Sequence, residues 1–66
     1  MNWQDYISID PKVMLGKPVI KGTRITVQLI LERLAYGQTM EELMIAYPPI
    51  SREVVAACLQ YTKDQM

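Results

Sequence analysis

The segment Gly16–Ile25 holds the side chains of this sequence that are best suited to binding chemistry. Lys17, Lys21 and Arg24 place three positive charges among glycines and apolar residues. A guanidinium such as that of Arg24 binds a phosphate or carboxylate through two parallel hydrogen bonds, and the Thr23 hydroxyl adds a further donor. Glycine lets the backbone come close to a ligand. These residue types predict a compact site for an anionic group.

A purely structural role for the same residues is an open alternative. In that interpretation Gly22 permits a turn and the Thr23 hydroxyl bonds to the local backbone. Arg24 then pairs with Glu32 or with another nearby acid. A phosphate-binding P-loop is excluded in either case, because the sequence lacks the Gly-Lys-Ser/Thr ending that this loop requires.

The charge of the chain is balanced in total and uneven along its length. Seven basic and seven acidic side chains give a formal net charge of zero, which removes the simplest electrostatic argument for nucleic-acid binding. Between positions 11 and 31, however, there is no acid and there are four bases: Lys12, Lys17, Lys21 and Arg24. This asymmetry predicts a basic edge that meets an acidic partner or phosphates, with a merely solvated edge as the alternative.

The sequence lacks the residues on which most catalysis and metal binding depend. It contains no histidine and one cysteine, Cys58, so the usual imidazole bases and zinc ligand sets are excluded and no internal disulfide can form. Without histidine, Ser8 and Ser51 would need a lysine as base, which is a rarer arrangement. Cys58 lies in an apolar helical pattern and is predicted to be a small buried hydrophobe. We therefore expect no enzyme activity, no small-molecule substrate, no metal and no cofactor.

Hydrophobic periodicity divides the single predicted domain, residues 1–66, into an extended arm, residues 1–25, and a helical core, residues 26–66. In the arm, Tyr6–Ile9 alternates like a short strand and Pro18–Ile20 forms a second extended piece. In the core, apolar residues recur at helical spacing in three segments. Each segment begins at a predicted N-cap: Thr26, Thr39 and Ser51, with Thr39 forming a capping box with Glu42. The first segment is predicted to end at Gly37 and the second at Pro48–Pro49.

The third helical segment is predicted to bury an inner face formed by Val55, Cys58, Leu59 and Thr62, with Val54 and Tyr61 along one flank. Its outward face would then carry Glu53, Ala56, Ala57, Gln60 and Asp64. Base reading draws on Arg, Lys, Asn and Gln, and phosphate anchoring draws on positive charge, so a face with two acids and two alanines suits a major groove poorly. The small residues favour instead the close approach of another helix, in a dimer interface or a partner's groove. Ser51 and Arg52, where the helix begins, are kept as candidates for DNA or partner contact.

The second and third helical segments, joined by a short connector, have the sequence pattern of a helix-turn-helix. With the first helix they predict a mainly α, three-helix, homeodomain-like core preceded by a short β arm or hairpin. No signal peptide and no apolar run of about 20 residues is present, so the cytoplasm is the expected location and no membrane contact is expected. A chain of 66 residues with neither disulfide nor metal is also expected to gain stability by forming a homodimer.

The run Asp10–Ile25, which includes the string Gly-Lys-Pro-Val-Ile-Lys-Gly-Thr-Arg-Ile, resembles a known family. Further matching residues continue towards the last helix: Ile30, Leu31, Glu32, Leu34, Gly37, Tyr47 and Pro48. The family is the short prokaryotic domain-of-unknown-function family numbered four hundred and thirty-three, often described as VapB-type antitoxins. The resemblance implies a helix-turn-helix fold, a dimer, neutralisation of a PIN-domain ribonuclease toxin, and binding to operator DNA.

Two functions of different class follow. The first is a dimeric antitoxin that acts through operator DNA, a PIN-domain toxin or both, with Lys21 and Arg24 meeting the acidic metal site of the toxin. The wider set of predicted DNA- or partner-binding residues is Lys17, Lys21, Thr23, Arg24, Ser51 and Arg52. The second is a dimeric protein-interaction module that has kept a helix-turn-helix fold and binds no DNA.

Overall fold

The chain folds as a two-stranded sheet followed by three α-helices in the computed structural model, which describes residues 2–66. The elements are β1 (Ile7–Ser8), β2 (Val19–Ile20), α1 (Val27–Ala35), α2 (Met40–Ala46) and α3 (Arg52–Asp64), with short 3-10 turns at Trp3–Asp5 and Met14–Gly16. The predicted mainly helical fold with an N-terminal β arm is confirmed, and both strands are shorter than the sequence predicts. Within the described residues no helix has the length and apolar content needed to cross a bilayer.

Side-chain caps begin the three described helices at the predicted residues. The Thr26 hydroxyl accepts a hydrogen bond from the Leu29 amide at 3.0 Å, and Ser51 caps α3 in the same way at 3.2 Å. At α2 the capping box is complete: Thr39 Oγ1 accepts from the Glu42 amide at 3.1 Å, and Glu42 Oε1 accepts from the Thr39 amide at 2.9 Å. These caps satisfy amides that have no partner inside a helix, so they fix where each helix starts.

Removing the α2 cap is expected to lower the free energy of unfolding by about 1 kcal/mol. Thr39→Ala leaves the Glu42 amide without its acceptor, and α2 has only seven residues, so few hydrogen bonds within the helix offset the loss. Chemical denaturation followed by circular dichroism measures the change. Thr39→Ser keeps the hydroxyl and is the matched control, expected to unfold near the wild-type midpoint. An equal loss in both variants would contradict the role of the cap.

The N-terminal arm is a hairpin within one chain, and its apolar residues join the helical core. β1 pairs antiparallel with β2, with Ile7 opposite Ile20. The chain then turns back, so that Val19 also pairs with Thr26 just before α1. Ile7 and Ile20 belong to the same buried cluster as the helix residues. The boundary predicted after residue 25 therefore separates two kinds of secondary structure that share one core.

The inner face of α3 differs from the predicted one. Val55 and Cys58 are buried as predicted. Ala57 is also fully buried, although the sequence predicts it on the outward face, and Leu59, predicted to be buried, is 52% exposed. The helix carries two overlapping apolar stripes, and the stripe that packs inward contains Val54, Ala57, Cys58 and the half-buried Tyr61. The N-terminal segment favours this stripe, because Trp3 packs edge-on against Tyr61 with 4.8 Å between the ring centroids.

Candidate functional site

Lys21, Thr23 and Arg24 lie together on a tight turn between β2 and α1. The Ile20 amide donates to the Ile25 carbonyl at 2.9 Å, and the Thr23 amide donates to the Ile20 carbonyl at 3.0 Å. The Thr23 hydroxyl donates to that same carbonyl at 2.8 Å and accepts from the Ile25 amide at 3.0 Å. The side chains of Lys21 and Arg24 are exposed. The hydrogen bonds therefore fix the backbone of a turn that carries two exposed positive charges.

The purely structural role considered for this segment fits Gly22 and Thr23 but does not fit Arg24. Gly22 has a φ of +75°, which favours glycine at this position of the turn, and the Thr23 hydroxyl is used within the turn as described above. Arg24, however, forms no salt bridge with Glu32 or with any other acid in residues 2–66. Its guanidinium therefore stays available to a ligand, whereas the Thr23 hydroxyl does not.

Lys17 lies apart from this turn, at the opposite end of β2. At one end of the strand the Lys21 amide donates to the Tyr6 carbonyl at 2.9 Å. At the other end, Lys17 precedes Pro18, whose carbonyl accepts from the Val27 amide at 3.0 Å. With a rise of about 3.3 Å per extended residue, the backbones of Lys17 and Lys21 are roughly 13 Å apart. The predicted basic segment is thus not one cluster.

Ser51 and Arg52 form a third location, where α3 begins. Arg52 Nη2 donates to Glu41 Oε2 at 2.7 Å, and Arg52 Nη1 lies 3.4 Å from the Met40 sulfur. A backbone hydrogen bond at Glu41, together with the Arg52 guanidinium, lowers the pKa of the Glu41 carboxyl. The two side chains are 64% and 61% exposed, so the pair adds little stability. It does reduce the positive charge that Arg52 offers to a ligand.

The predicted DNA- or partner-binding residues therefore do not converge on one site. Arg52 begins α3, whereas the N-terminal segment touches the other end of that helix, where Trp3 Nε1 donates to Asp64 Oδ2 at 3.0 Å. A helix of 13 residues is about 20 Å long. Lys17 lines a groove with Tyr61 at that other end, so it is separate both from the Ser51–Arg52 pair and from the Lys21–Arg24 turn.

A groove between α1 and the C-terminal part of α3 is a feature that the sequence does not predict. It has a volume of about 680 Å³ and a predominantly apolar lining. The arm contributes Lys17, α1 contributes Leu31 and Ala35, and α3 contributes Tyr61. Leu31 packs against the core and is only half-buried, so part of its side chain faces the groove. A groove of this kind suits an apolar segment of a protein partner.

The loop between β1 and β2 holds Leu15 in an exposed and strained conformation, which the sequence also does not predict. Met14, Leu15 and Gly16 have φ values of 49°, 60° and 83°. They form a left-handed turn that is closed where the Lys17 amide donates to the Met14 carbonyl at 3.1 Å. This conformation costs about 1–2 kcal/mol for each residue that has a Cβ. Because Leu15 is 93% exposed, little packing within the chain offsets that cost.

The described chain assembles no cluster of metal-ligating side chains. In residues 2–66 no three His, Cys, Asp or Glu side chains come together, and no buried side-chain nitrogen or oxygen there lacks a hydrogen-bond partner. Cys58 is fully buried, and burial raises the pKa of its thiol from 9.0 to about 11. At neutral pH the sulfur is therefore a protonated thiol, which is a weak nucleophile.

Comparison with known proteins agrees with the resemblance seen in the sequence. Residues 7–62 match the family described as "Protein of unknown function (DUF433)". The crystal structure of a DUF433 member protein from Anabaena variabilis ATCC 29413 is similar to this chain, with a TM-score of 0.86 and 31% sequence identity. The match covers 92% of this chain and 60% of that protein. No curated protein matches the chain. From the family match over most of its length, the chain belongs to the DUF433 family.

Proposed function

We propose that this chain is a non-catalytic binding protein, the antitoxin of a type II toxin–antitoxin pair, and that as a homodimer it neutralises a PIN-domain ribonuclease. One observation carries the proposal: Lys21 and Arg24 are exposed on a hydrogen-bonded turn, and neither forms a salt bridge in residues 2–66. The metal site of a PIN-domain nuclease is acidic and would attract such a pair. The class of partner follows from the resemblance to VapB-type antitoxins.

The rigid, hydrogen-bonded backbone of the turn supports a role in binding. Hydrogen bonds through Thr23 and to the Tyr6 carbonyl hold the backbone on both sides of Lys21. A charged group on a preorganised backbone loses less conformational entropy when it binds. A cluster of carboxylates focuses negative potential, and the guanidinium of Arg24 matches a carboxylate with two hydrogen bonds. The turn is therefore suited to an acidic protein surface.

Operator DNA is a second candidate ligand, favoured by the arrangement of α2 and α3. The connector, residues 47–51, leaves the first residues of α3, Arg52 and Glu53, exposed, and this is where a helix-turn-helix protein contacts bases. Two features weigh against it, because Arg52 already donates to Glu41 and a phosphate repels Glu53. An affinity for DNA that falls steeply with salt would support this candidate. A shallow dependence would favour the dimeric protein-interaction module.

Replacing both cations of the turn is expected to weaken toxin binding at least tenfold. Lys21→Ala with Arg24→Ala removes two charged donors, whose hydrogen bonds are worth about 1.5–3 kcal/mol each, and leaves the backbone bonds of the turn in place. Calorimetric titration against a purified PIN-domain ribonuclease that the wild-type chain binds measures the affinity. Inhibition of RNA cleavage by that enzyme gives a second measurement, which should weaken in parallel.

A control variant with the same change in net charge distinguishes a direct contact of the turn with the toxin from long-range electrostatic attraction by the whole chain. Arg33→Ala with Lys63→Ala removes one exposed arginine and one exposed lysine elsewhere on the surface, and it should bind the toxin like the wild type. Equal weakening in both double variants would point to long-range attraction by the whole chain. Unchanged affinity and inhibition in the Lys21→Ala, Arg24→Ala variant would exclude the turn as the toxin-binding site.

A further inference from the structure

Two features that the toxin-binding turn does not use lie next to each other on the surface: the exposed Leu15 and the groove between α1 and α3. Lys17 connects them, because its amide closes the left-handed turn and it also lines the groove. Leu15 precedes Lys17 by two residues, so their Cα atoms are at most about 7.6 Å apart. A projecting apolar side chain and an apolar depression are therefore neighbours on the same surface.

Hydrogen bonds hold the loop that carries Leu15. Asp10 Oδ1 accepts from the Lys12 amide at 2.9 Å, and the Asp10 carbonyl accepts from the Val13 amide at 2.9 Å. The exposed position of Leu15 is thus built into the free chain. Glycine or asparagine adopts the left-handed conformation at a lower cost than leucine. A leucine in this conformation, without packing inside its own chain, indicates a contact with another molecule.

We propose that Leu15 inserts into the α1–α3 groove of a second copy of this chain, and that the two copies exchange this contact reciprocally about a twofold axis. The inference rests on the homodimer of the proposed function and assigns its interface. In a twofold dimer the same surface is used by both copies, so each contact is made twice. A projection beside a depression is a shape that can pair with itself in this way.

The charges at the groove are self-complementary as well. The lining contains one cation, Lys17, and one carboxylate, Glu32. Neither forms a salt bridge within residues 2–66. Across a twofold axis, Lys17 of each copy faces Glu32 of the other, which gives two complementary pairs. A partner with charges of one sign, such as nucleic acid, matches this lining less well, and the net charge of zero causes no overall repulsion between copies.

A stable dimer would need only a small part of the surface of this chain. A specific interface buries about 800 Å² on each partner, and this chain exposes 4509 Å², so less than a fifth of the surface is needed. Besides Leu15, the loop offers Met14, which is 41% exposed. The groove adds the half-buried side chains of Leu31 and Tyr61. Contacts on both sides of the twofold axis double these contributions.

Sedimentation equilibrium of the purified chain tests the interface. Leu15→Asn removes the apolar side chain and keeps a residue that tolerates the left-handed conformation, and it should raise the dimer dissociation constant at least tenfold. Ala35→Arg places a long charged side chain in the groove from an exposed position at the end of α1, and it should have the same effect. Ile45→Asn is the matched control, because Ile45 is 81% exposed on α2 and does not line the groove.

Two further measurements separate an interface from a damaged fold. At a concentration low enough for both chains to be monomeric, Leu15→Asn should unfold at or above the wild-type temperature, since the variant relieves strain and loses no contact within its own chain. Lys17→Glu alone should weaken the dimer, and Lys17→Glu combined with Glu32→Lys should restore it. Restoration by the second change is the result that the proposed pairing requires, and failure to restore would overturn that pairing.

The possible outcomes distinguish this inference from the proposed function. A wild-type chain that stays monomeric at high concentration would overturn both the interface and the homodimer, and leave the toxin-binding turn to its own test. A dimer that is unaffected by Leu15→Asn and Ala35→Arg would overturn the interface alone. If these variants lose toxin binding and associate as the wild type does, the groove belongs to the toxin and the inference is wrong.

Discussion

Leu43→Ala is expected to lower the free energy of unfolding by about 2–5 kcal/mol. Leu43 is the buried residue of α2, and none of its surface is exposed. Truncation leaves a cavity beneath a helix of seven residues. Because this short helix is capped and lies between two turns, it has little freedom to move inward and fill the cavity. A chain of 66 residues has a total stability of roughly 3–10 kcal/mol. The variant should therefore lose a large part of its stability and unfold at a much lower concentration of denaturant.

Urea denaturation followed by circular dichroism measures this loss. The midpoint should fall while the dependence on denaturant keeps its slope, because the surface exposed on unfolding hardly changes. Ile45→Ala, two residues later in the same helix, is the matched control: Ile45 is 81% exposed, and its truncation should cost no more than about 0.5 kcal/mol. Similar losses in both variants would mean that α2 is held by its own helical propensity and not by the packing of Leu43.

The helix starts were predictable from the sequence because each depends on local chemistry. A cap such as Thr26, Thr39 or Ser51 interacts with an amide three residues later, so a short window of sequence contains the whole interaction. The rotation of α3 was not predictable in this way. It depends on the packing of Trp3, from the other end of the chain, against Tyr61, and the sequence of α3 alone offers two apolar stripes of similar quality.

The positions of the cations were readable from the sequence, but their arrangement in space was not. Lys17 and Lys21 are close in sequence, and the pairing of β2 places them at opposite ends of the strand. The local hydrogen bonds of Thr23 were anticipated, since they stay within the turn. The contact between Arg52 and Glu41 was not, because it depends on how α2 meets α3.

The groove and the left-handed turn gave no signal in the sequence. A left-handed backbone is usually marked by glycine or asparagine, and here Met14 and Leu15 adopt it. The groove arises from the relative placement of the arm, α1 and α3, which no single segment encodes. Residue types alone therefore predict the basic turn, but they do not predict the groove or the exposed Leu15 that we propose for self-association.

The separation of Lys17 from the Lys21–Arg24 turn has a consequence for the proposed antitoxin. The groove is lined by Lys17, and the turn lies at the other end of β2. A dimer formed through the groove would therefore leave the turn of each copy exposed. Self-association and toxin binding then use different ends of the same small hairpin, so each can be removed by mutation without the other.

As the pH rises from well below 9 to well above 11, the free energy of unfolding is expected to fall by about 3 kcal/mol because of Cys58 alone, with about 2 kcal/mol of this fall between pH 9 and pH 11. Burial raises the pKa of this thiol from 9.0 to about 11, and each unit of difference corresponds to about 1.4 kcal/mol. In that range the unfolded chain loses the thiol proton while the folded chain keeps it. The unfolded state then binds fewer protons, so stability decreases as the pH rises. The contribution is fully present below pH 9.

Comparing the denaturation of the wild type with that of Cys58→Ala across this range isolates the contribution of the thiol from that of the other ionisable groups. The variant loses volume in the core, which lowers its stability by an amount that does not depend on pH. Its curve should therefore start lower and fall less steeply, and the two curves should converge above pH 9. Parallel curves would contradict the prediction, because they would mean that the Cys58 thiol has the same pKa in the folded and unfolded chains and is reached by water in the native state.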